Sequence, residues 1–460
     1  MQLWKKFQPT NGGGSEIMSA SITTIADLSD RSIMGDDRLV RTSRVAYVVA
    51  VISLIAAAFV AWKQNDPHGL AMIWLQNGIF VLTLSLGAFF FVMVQHITNA
   101  GWAVAIRRIA EAQAANLTWL WVLFLVPMFW LLITNREWNG FGHGLAIIWP
   151  WADMAHLTEH SPAEGAIVAQ KTSFLNPTFF MIRACIYFAF WALATRWFLS
   201  TSRRQDQTGD ATLSTKMRYA AAPCLILFAL TSTFAAVDWI MSLSPAWFST
   251  MFGIYFFAGT CAGGFSIIAL GCLRLQAMGY LRGVITAEHY QDIGKMIWAF
   301  GIVFWAYIAF SQYMLIWYGN LPEETVWFLA RQVGDWAWVS VALIVGHFFI
   351  PFLFFISRWM KRWRGTLAFG ALWLLAFSWI DIYWLVMPVV PHDVATFTTY
   401  DALASAYATT STGLGNPLNY LMLVGFIGLS VGSATGRLSR GSVLCRRDPR
   451  LNESLQFENI

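Results

Sequence analysis

Apolar runs separated by polar connections occupy almost the whole chain. Ten runs stand out, centred near Ile55, Leu84, Leu125, Ala189, Phe228, Ala262, Ala306, Val345, Leu374 and Gly425. Each holds roughly 18–25 residues, the length of a helix that crosses about 30 Å of hydrocarbon. Backbone N–H and C=O groups find no water in that layer, so they must bond within their own segment. The runs therefore predict helices and not strands. Residues 44–436 are expected to form a ten-helix transmembrane domain, with a polar segment at 1–43 and a tail at 437–460. The first 43 residues include a GGGS stretch at Gly12–Ser15 and lack the apolar core and cleavage site of a signal peptide, so the first span is expected to be an uncleaved anchor.

Charge orients these spans. With the amino terminus in the cytoplasm, connections on that side hold 24 of the 30 Lys and Arg, whereas the outer side holds Lys63, Arg136, Lys171 and Arg331. Arg183 and Arg196 lie within a run. The positive-inside rule then predicts a multi-pass protein with both termini cytoplasmic. Only 12% of residues are charged and 57% are hydrophobic, against about 25% charged in soluble proteins. The net charge of +5 gathers in loops beside anionic lipid, so membrane lipid is the expected partner and nucleic acid is not. Cys185, Cys224, Cys261, Cys272 and Cys445 form no CxxC or CxxCH. That spacing excludes attached haem c and argues against a cluster or zinc site, leaving no metal expected in the chain.

Two outer connections are long, near Thr134–Asn176 and Val389–Asn416. The first carries Trp149, Trp151, Asp153, His156, Glu159 and His160, and its length predicts a docking surface or a lid. Within the runs, an ionisable side chain costs a few kcal/mol, so each one needs a reason. Asp238 and Arg183 on neighbouring spans either neutralise each other or supply a proton-accepting carboxylate beside a ligand. Asp381 occupies a matching place: like Asp238, it lies seven residues before a Pro near the outer end of an outward-going helix. His347 sits near the middle of the eighth span, as a packing residue or as part of a proton or quinone path. A lone histidine at membrane depth cannot make a bis-histidine haem b site. Ser311, Gln312, Tyr313 and Tyr383 could assist by hydrogen bonding. His289, Asp292 and Lys295 mark a candidate proton entry from the cytoplasm. Gly253, Gly259, Gly263 and Gly264 predict close helix contact along the sixth span. No nucleotide loop, nucleophile elbow or metal-ligand spacing is present, so no catalytic residue is assigned.

Several stretches carry a family likeness. They are QHITNAGWAVAIRRIAE (95–111), FLNPTFFMIR (174–183), DWIMSLSPAWFST (238–250), DIGKMIWAFGIVFWAYIAFSQYMLIWYGNLPEE (292–324), GHFFIPFLFFISR (346–358), DIYWLVMP (381–388) and DPRLNESLQFEN (448–459). Together they resemble the ActF family, NrfD-like integral membrane subunits of bacterial alternative complex III, a quinol:cytochrome c oxidoreductase. The likeness runs from about Asp37 to the end. It implies an all-α membrane fold of ten helices, built as two four-helix bundles plus two extra helices. It also implies a bacterial inner membrane, a sister NrfD-like subunit, and extracytoplasmic partner subunits that bear haem c and iron–sulfur clusters. The sister subunit is the better-supported quinol site of the family, so no cofactor is expected in this chain beyond a quinone, menaquinone or ubiquinone, that it could share in binding. Part of a proton path is the activity the resemblance implies. The chain departs from the family at Ser378, where members often carry a His three residues before the Asp of the ninth span.

The expectation is thus a subunit with no redox group of its own in a respiratory electron-transport complex. It would contribute a polar centre of Asp238, His347, Asp381 and Arg183 as a quinone-like site or proton path. The rivals are a secondary transporter using the same Asp and His, and a purely structural membrane anchor.

Overall fold

Helix ends are written into the sequence by capping residues. Asp36, Asp66, Asn176 and Asn416 each precede a helix and accept a backbone N–H of its first turn, and three of them are followed directly by proline at the first helical position. Left-handed Asn65, Asn135, Asn320 and Gly209 close helices at the other end. The computed structural model describes residues 30–138, 140–388, 402, 405 and 413–459.

Ten helices in it are long and apolar enough to cross a membrane: Asp37–Gln64, Pro67–Ile97, Val104–Thr134, Pro177–Thr208, Thr212–Leu243, Phe252–Ala277, Ala287–Gly319, Asp335–Ile356, Arg364–Val386 and Pro417–Leu438. They are called the first to tenth spans. The protein is an all-α, multi-pass membrane protein. Spans two to five pack into one four-helix bundle and spans six to nine into another. The first and tenth spans pair closely with each other, and the tenth lies against the second. Small residues allow this pairing: a Cβ added at Gly428 would come within 2.9 Å of the Ala46 carbonyl and of the Ala50 side chain.

The second and sixth spans are the most buried and join the bundles. Their backbones touch where glycines meet. A Cβ at Gly264 would lie 2.5 Å from the Gly87 Cα, and one at Gly87 would lie 2.3 Å from the Thr260 carbonyl oxygen. The glycines expected to mark close contact on the sixth span do so: Gly263 faces Leu84, and Gly259 faces the Asp381 carboxylate.

Boundaries differ from the hydropathy reading at two places. The first helix starts at Asp37 and not near residue 44, because Asp36 caps a polar first turn that hydropathy does not register. The stretch Val104–Ala114, between the second and third apolar runs, is a fully buried helix that leads into the third span. Its charges are paired in the interior. Arg107 binds Glu111 and Asp448, at 3.3 and 2.6 Å, and Arg108 binds Glu111 at 3.0 Å and also Asp206.

The segments around Ile33 and Val443, near the two ends of the described chain, lie on one face. Val443 N–H donates to the Ile33 carbonyl, and Gly35 N–H to that of Gly441. On the opposite face, residues 135–176 fold down over the first bundle as a short hairpin and small helices. Trp149 and Trp151 are buried there against Phe180, and the Trp149 indole donates to the Trp239 carbonyl at 3.3 Å. The other long connection, Val389–Asn416, lies almost wholly outside the described residues.

Candidate functional site

The ionisable residues expected to share one centre are divided between the bundles. In the first, Arg183 on the fourth span grips Asp238 on the fifth through two parallel bonds, Nε to Oδ2 at 2.8 Å and Nη2 to Oδ1 at 2.7 Å. Tyr187 donates to the same carboxylate at 2.8 Å. The remaining Arg183 nitrogen donates to the Phe174 carbonyl, and the guanidinium stacks over the Phe174 and Phe179 rings. Both partners are buried. The carboxylate is paired with a guanidinium and accepts three hydrogen bonds in all.

The second bundle is built differently. Asp381 on the ninth span is 1% exposed, and among the described residues no basic side chain lies within ion-pair distance of it. Its oxygens accept from the Tyr255 hydroxyl and, at 3.1 Å, from the Trp305 indole. The other side of this indole is covered by His347, stacked at 3.9 Å between centroids and 4° between planes. His347 Nε2 in turn lies 3.3 Å from the Gly301 carbonyl oxygen. Both supporting spans are distorted here: residues Ile297–Phe304 and Ile344–Phe349 are π-helical. A π turn shifts side chains and carbonyls out of α register, and such turns gather at functional sites. Each stretch contains a glycine, Gly301 in the first and Gly346 in the second.

A cavity of about 750 Å³ opens beside this carboxylate, between the seventh and eighth spans. Tyr255 and Trp305, the two donors to Asp381, form part of its wall. Exposed Tyr307, Phe310, Ile344 and Phe349 line it too, so it opens sideways to where lipid would lie. At its end far from Ile33 and Val443 sits Arg331, 1% exposed and also unpaired with any carboxylate among the described residues. Its guanidinium lies 3.3 Å over the Trp327 ring centroid and donates to the carbonyls of Trp327, Trp384 and Leu385. Burial pulls its pKa down from the ordinary arginine value. Gln312 lines the same space, 4% exposed, with an Oε1 that has no hydrogen-bond partner.

The remaining expected residues fall outside this cluster or at its edge. Tyr313 lines the cavity and accepts from Gln332 at 3.1 Å, while Ser311 is half-buried outside both centres. Tyr383 is buried between Trp336 and Trp379, and its hydroxyl is unbonded within the described residues. Ser378, one turn from Asp381, is buried with an unpartnered hydroxyl, as is Ser266 on the sixth span. Two buried hydroxyls without partners are places where internal water fits.

The proposed entry residues are covered by the carboxyl-terminal tail. His289 is fully buried, with Thr286 Oγ1 at 3.0 Å and Ser454 Oγ at 3.2 Å. Lys295 binds Asp292 and Asn459, and the Asn459 backbone N–H donates to Glu288.

Sequence reasoning did not single out Tyr255, Trp305 or Arg331 as site residues. The first two look like ordinary span aromatics. Arg331 was read only as one of the outer-face charges. The chain matches no protein-family model and no curated protein.

Proposed function

We propose that the protein is a membrane subunit of a quinol-oxidising respiratory complex, with its termini in the cytoplasm of a bacterial inner membrane. It works beside a sister membrane subunit and extracytoplasmic subunits that hold haem c and iron–sulfur clusters. Its own part is proton handling at a quinone-type site centred on Asp381. One observation carries this reading: a buried carboxylate without a cation partner, whose two hydrogen-bond donors form the wall of an aromatic cavity open to lipid. A carboxylate kept only for structure is expected to look like Asp238, clamped by an arginine. One held by a phenol and an indole keeps the capacity to gain and lose a proton.

The distribution of basic residues supports the orientation, because the face that holds Ile33 and Val443 also holds most of them. The role given to the partners rests on the resemblance carried by stretches such as 95–111 and 292–324, which implies companion chains that bear haem c and iron–sulfur clusters.

The test is purification from native membranes in mild detergent, with a visible spectrum and mass spectrometry of whatever accompanies the chain. Companion haem c and iron–sulfur subunits together with quinol oxidation support the proposal. A colourless chain that purifies alone contradicts it, and would turn attention to solute uptake.

A further inference from the structure

The cavity beside Asp381 has two unneutralised groups of opposite sign at its borders. Among the described residues, Arg331 is a buried cation with no carboxylate partner, and Asp381 is a buried carboxylate with no cation partner. Tyr255 stands between them: it lines the cavity together with Arg331 and donates its hydroxyl hydrogen to Asp381. Three of the five N–H groups of Arg331 are used on backbone carbonyls, leaving two for a ligand. Gln312 adds a buried acceptor oxygen with no partner. The rest of the wall is mostly apolar and rich in aromatic side chains, Trp305, Phe328 and Phe348 among them.

We infer that this cavity binds an aromatic ring amphiphile through one acidic hydroxyl, and that Arg331 is the residue that selects and holds the oxyanion left when that hydroxyl loses its proton. The inference deepens the reading of the protein as a quinol-handling subunit and rests on it for the identity of the natural ligand, an isoprenoid hydroquinone. The proton step balances within the chain. The ligand hydroxyl gives its proton to the Tyr255 oxygen, Tyr255 passes its own proton to the Asp381 carboxylate, and the ligand is left as a phenolate against the guanidinium. No electron moves in this step. Before it, the site holds a separated cation and anion. After it, Asp381 is neutral and the phenolate takes over as the counter-charge of Arg331, so net charge in the low-dielectric interior does not change. A neutral ligand without an ionisable hydroxyl would leave Arg331 without that exchange. Gln312 Oε1 can accept from a second ligand hydroxyl.

A ring ligand fits the flat aromatic walls, and the sideways opening gives its isoprenoid tail a route into the bilayer. A diacyl phospholipid offers a phosphate to Arg331 but no proton to Tyr255 and no ring to set against the aromatic wall.

The full chain, purified alone and placed in phosphatidylcholine nanodiscs, is titrated with 2-heptyl-4-hydroxyquinoline N-oxide. This probe is a fluorescent ring amphiphile with one acidic hydroxyl. Saturable quenching at a single site is expected. Arg331→Gln should weaken it by about tenfold or more, the size expected for losing charge-assisted hydrogen bonds. Arg331→Lys should fall between the two. Ala309→Trp, which fills the cavity without touching Arg331, should abolish binding. If Arg331→Gln does not fold, Gln312→Leu takes its place and should also weaken the probe.

Unchanged affinity in a folded Arg331→Gln overturns the inference, as does unchanged affinity in both Gln312→Leu and Ala309→Trp. Full displacement of the probe by phosphatidylglycerol overturns it in favour of a lipid site. Failure here is separable from failure of the proposed function. A chain that binds the probe in this manner while its native complex oxidises no quinol sustains the site and contradicts the complex-level role. A complex that oxidises quinol while the chain alone binds nothing does the reverse.

Discussion

Replacing Asp238 by Asn removes the counter-charge of Arg183 while keeping side-chain shape. In the native arrangement the carboxylate accepts two bonds from Arg183 and one from Tyr187, and it is 0% exposed. An amide offers one acceptor oxygen and no charge. The guanidinium is then left with the Phe174 carbonyl at 2.9 Å and two aromatic faces. Those contacts are present in the native arrangement too and so offset nothing. The loss for Asp238→Asn should therefore be about 3–5 kcal/mol, the cost of stranding one member of a buried ion pair. Removing both charges, as in Arg183→Met with Asp238→Asn, should restore most of that, because well-packed neutral residues often substitute for a buried pair at little cost. The assay is unfolding of the detergent-purified chain, by SDS titration and by heating, for the wild type, both single variants and the double. The double-mutant cycle then isolates the coupling. A single variant as stable as wild type, or a double variant as unstable as Asp238→Asn alone, would refute the assignment of this pair to structure.

Gly264→Ala should destabilise by about 1–3 kcal/mol, the cost of overpacking a tight contact, because the new methyl meets the second-span backbone; thermal unfolding checks it. Ser454→Ala removes bonds to the Trp102 carbonyl, the Ala105 N–H and His289, and should speed hydrogen exchange across residues 102–106 without affecting the opposite face. Trp305→Phe deletes one of the two donors to Asp381 while retaining an aromatic ring against His347, so assembly should persist and quinol turnover fall by about tenfold; turnover per assembled complex is the readout.

The sequence reveals the spans and their polar inventory far better than it reveals their grouping. Ten apolar runs correspond to ten helices because hydropathy and span length are the same physical constraint. Asp238, Asp381, Arg183 and His347 are visible for the complementary reason, as charges or near-charges where water is absent. Spacing cannot say which of them meet. Asp238 and Asp381 occupy similar places near the ends of the fifth and ninth spans, yet one faces an arginine and the other a phenol and an indole. That difference depends on how helices far apart in sequence pack together. Arg107 and Arg108 show the same limit, since they look like ordinary basic loop residues but are buried among Glu111, Asp206 and Asp448. The π-helical turns each contain a glycine, Gly301 and Gly346, but glycine is too frequent along these spans to mark a register shift by itself.

The contrast between the two carboxylates is the most direct test of the account. Asp381→Asn and Asp238→Asn are introduced separately into the native complex, and quinol oxidation is measured per assembled complex, with companions counted by mass spectrometry. The account predicts that Asp381→Asn assembles normally and loses about a hundredfold or more in turnover, the scale of a lost proton acceptor. Asp238→Asn should instead lower the amount of complex and leave the turnover of what remains nearly intact. Full turnover in assembled Asp381→Asn would contradict the central claim.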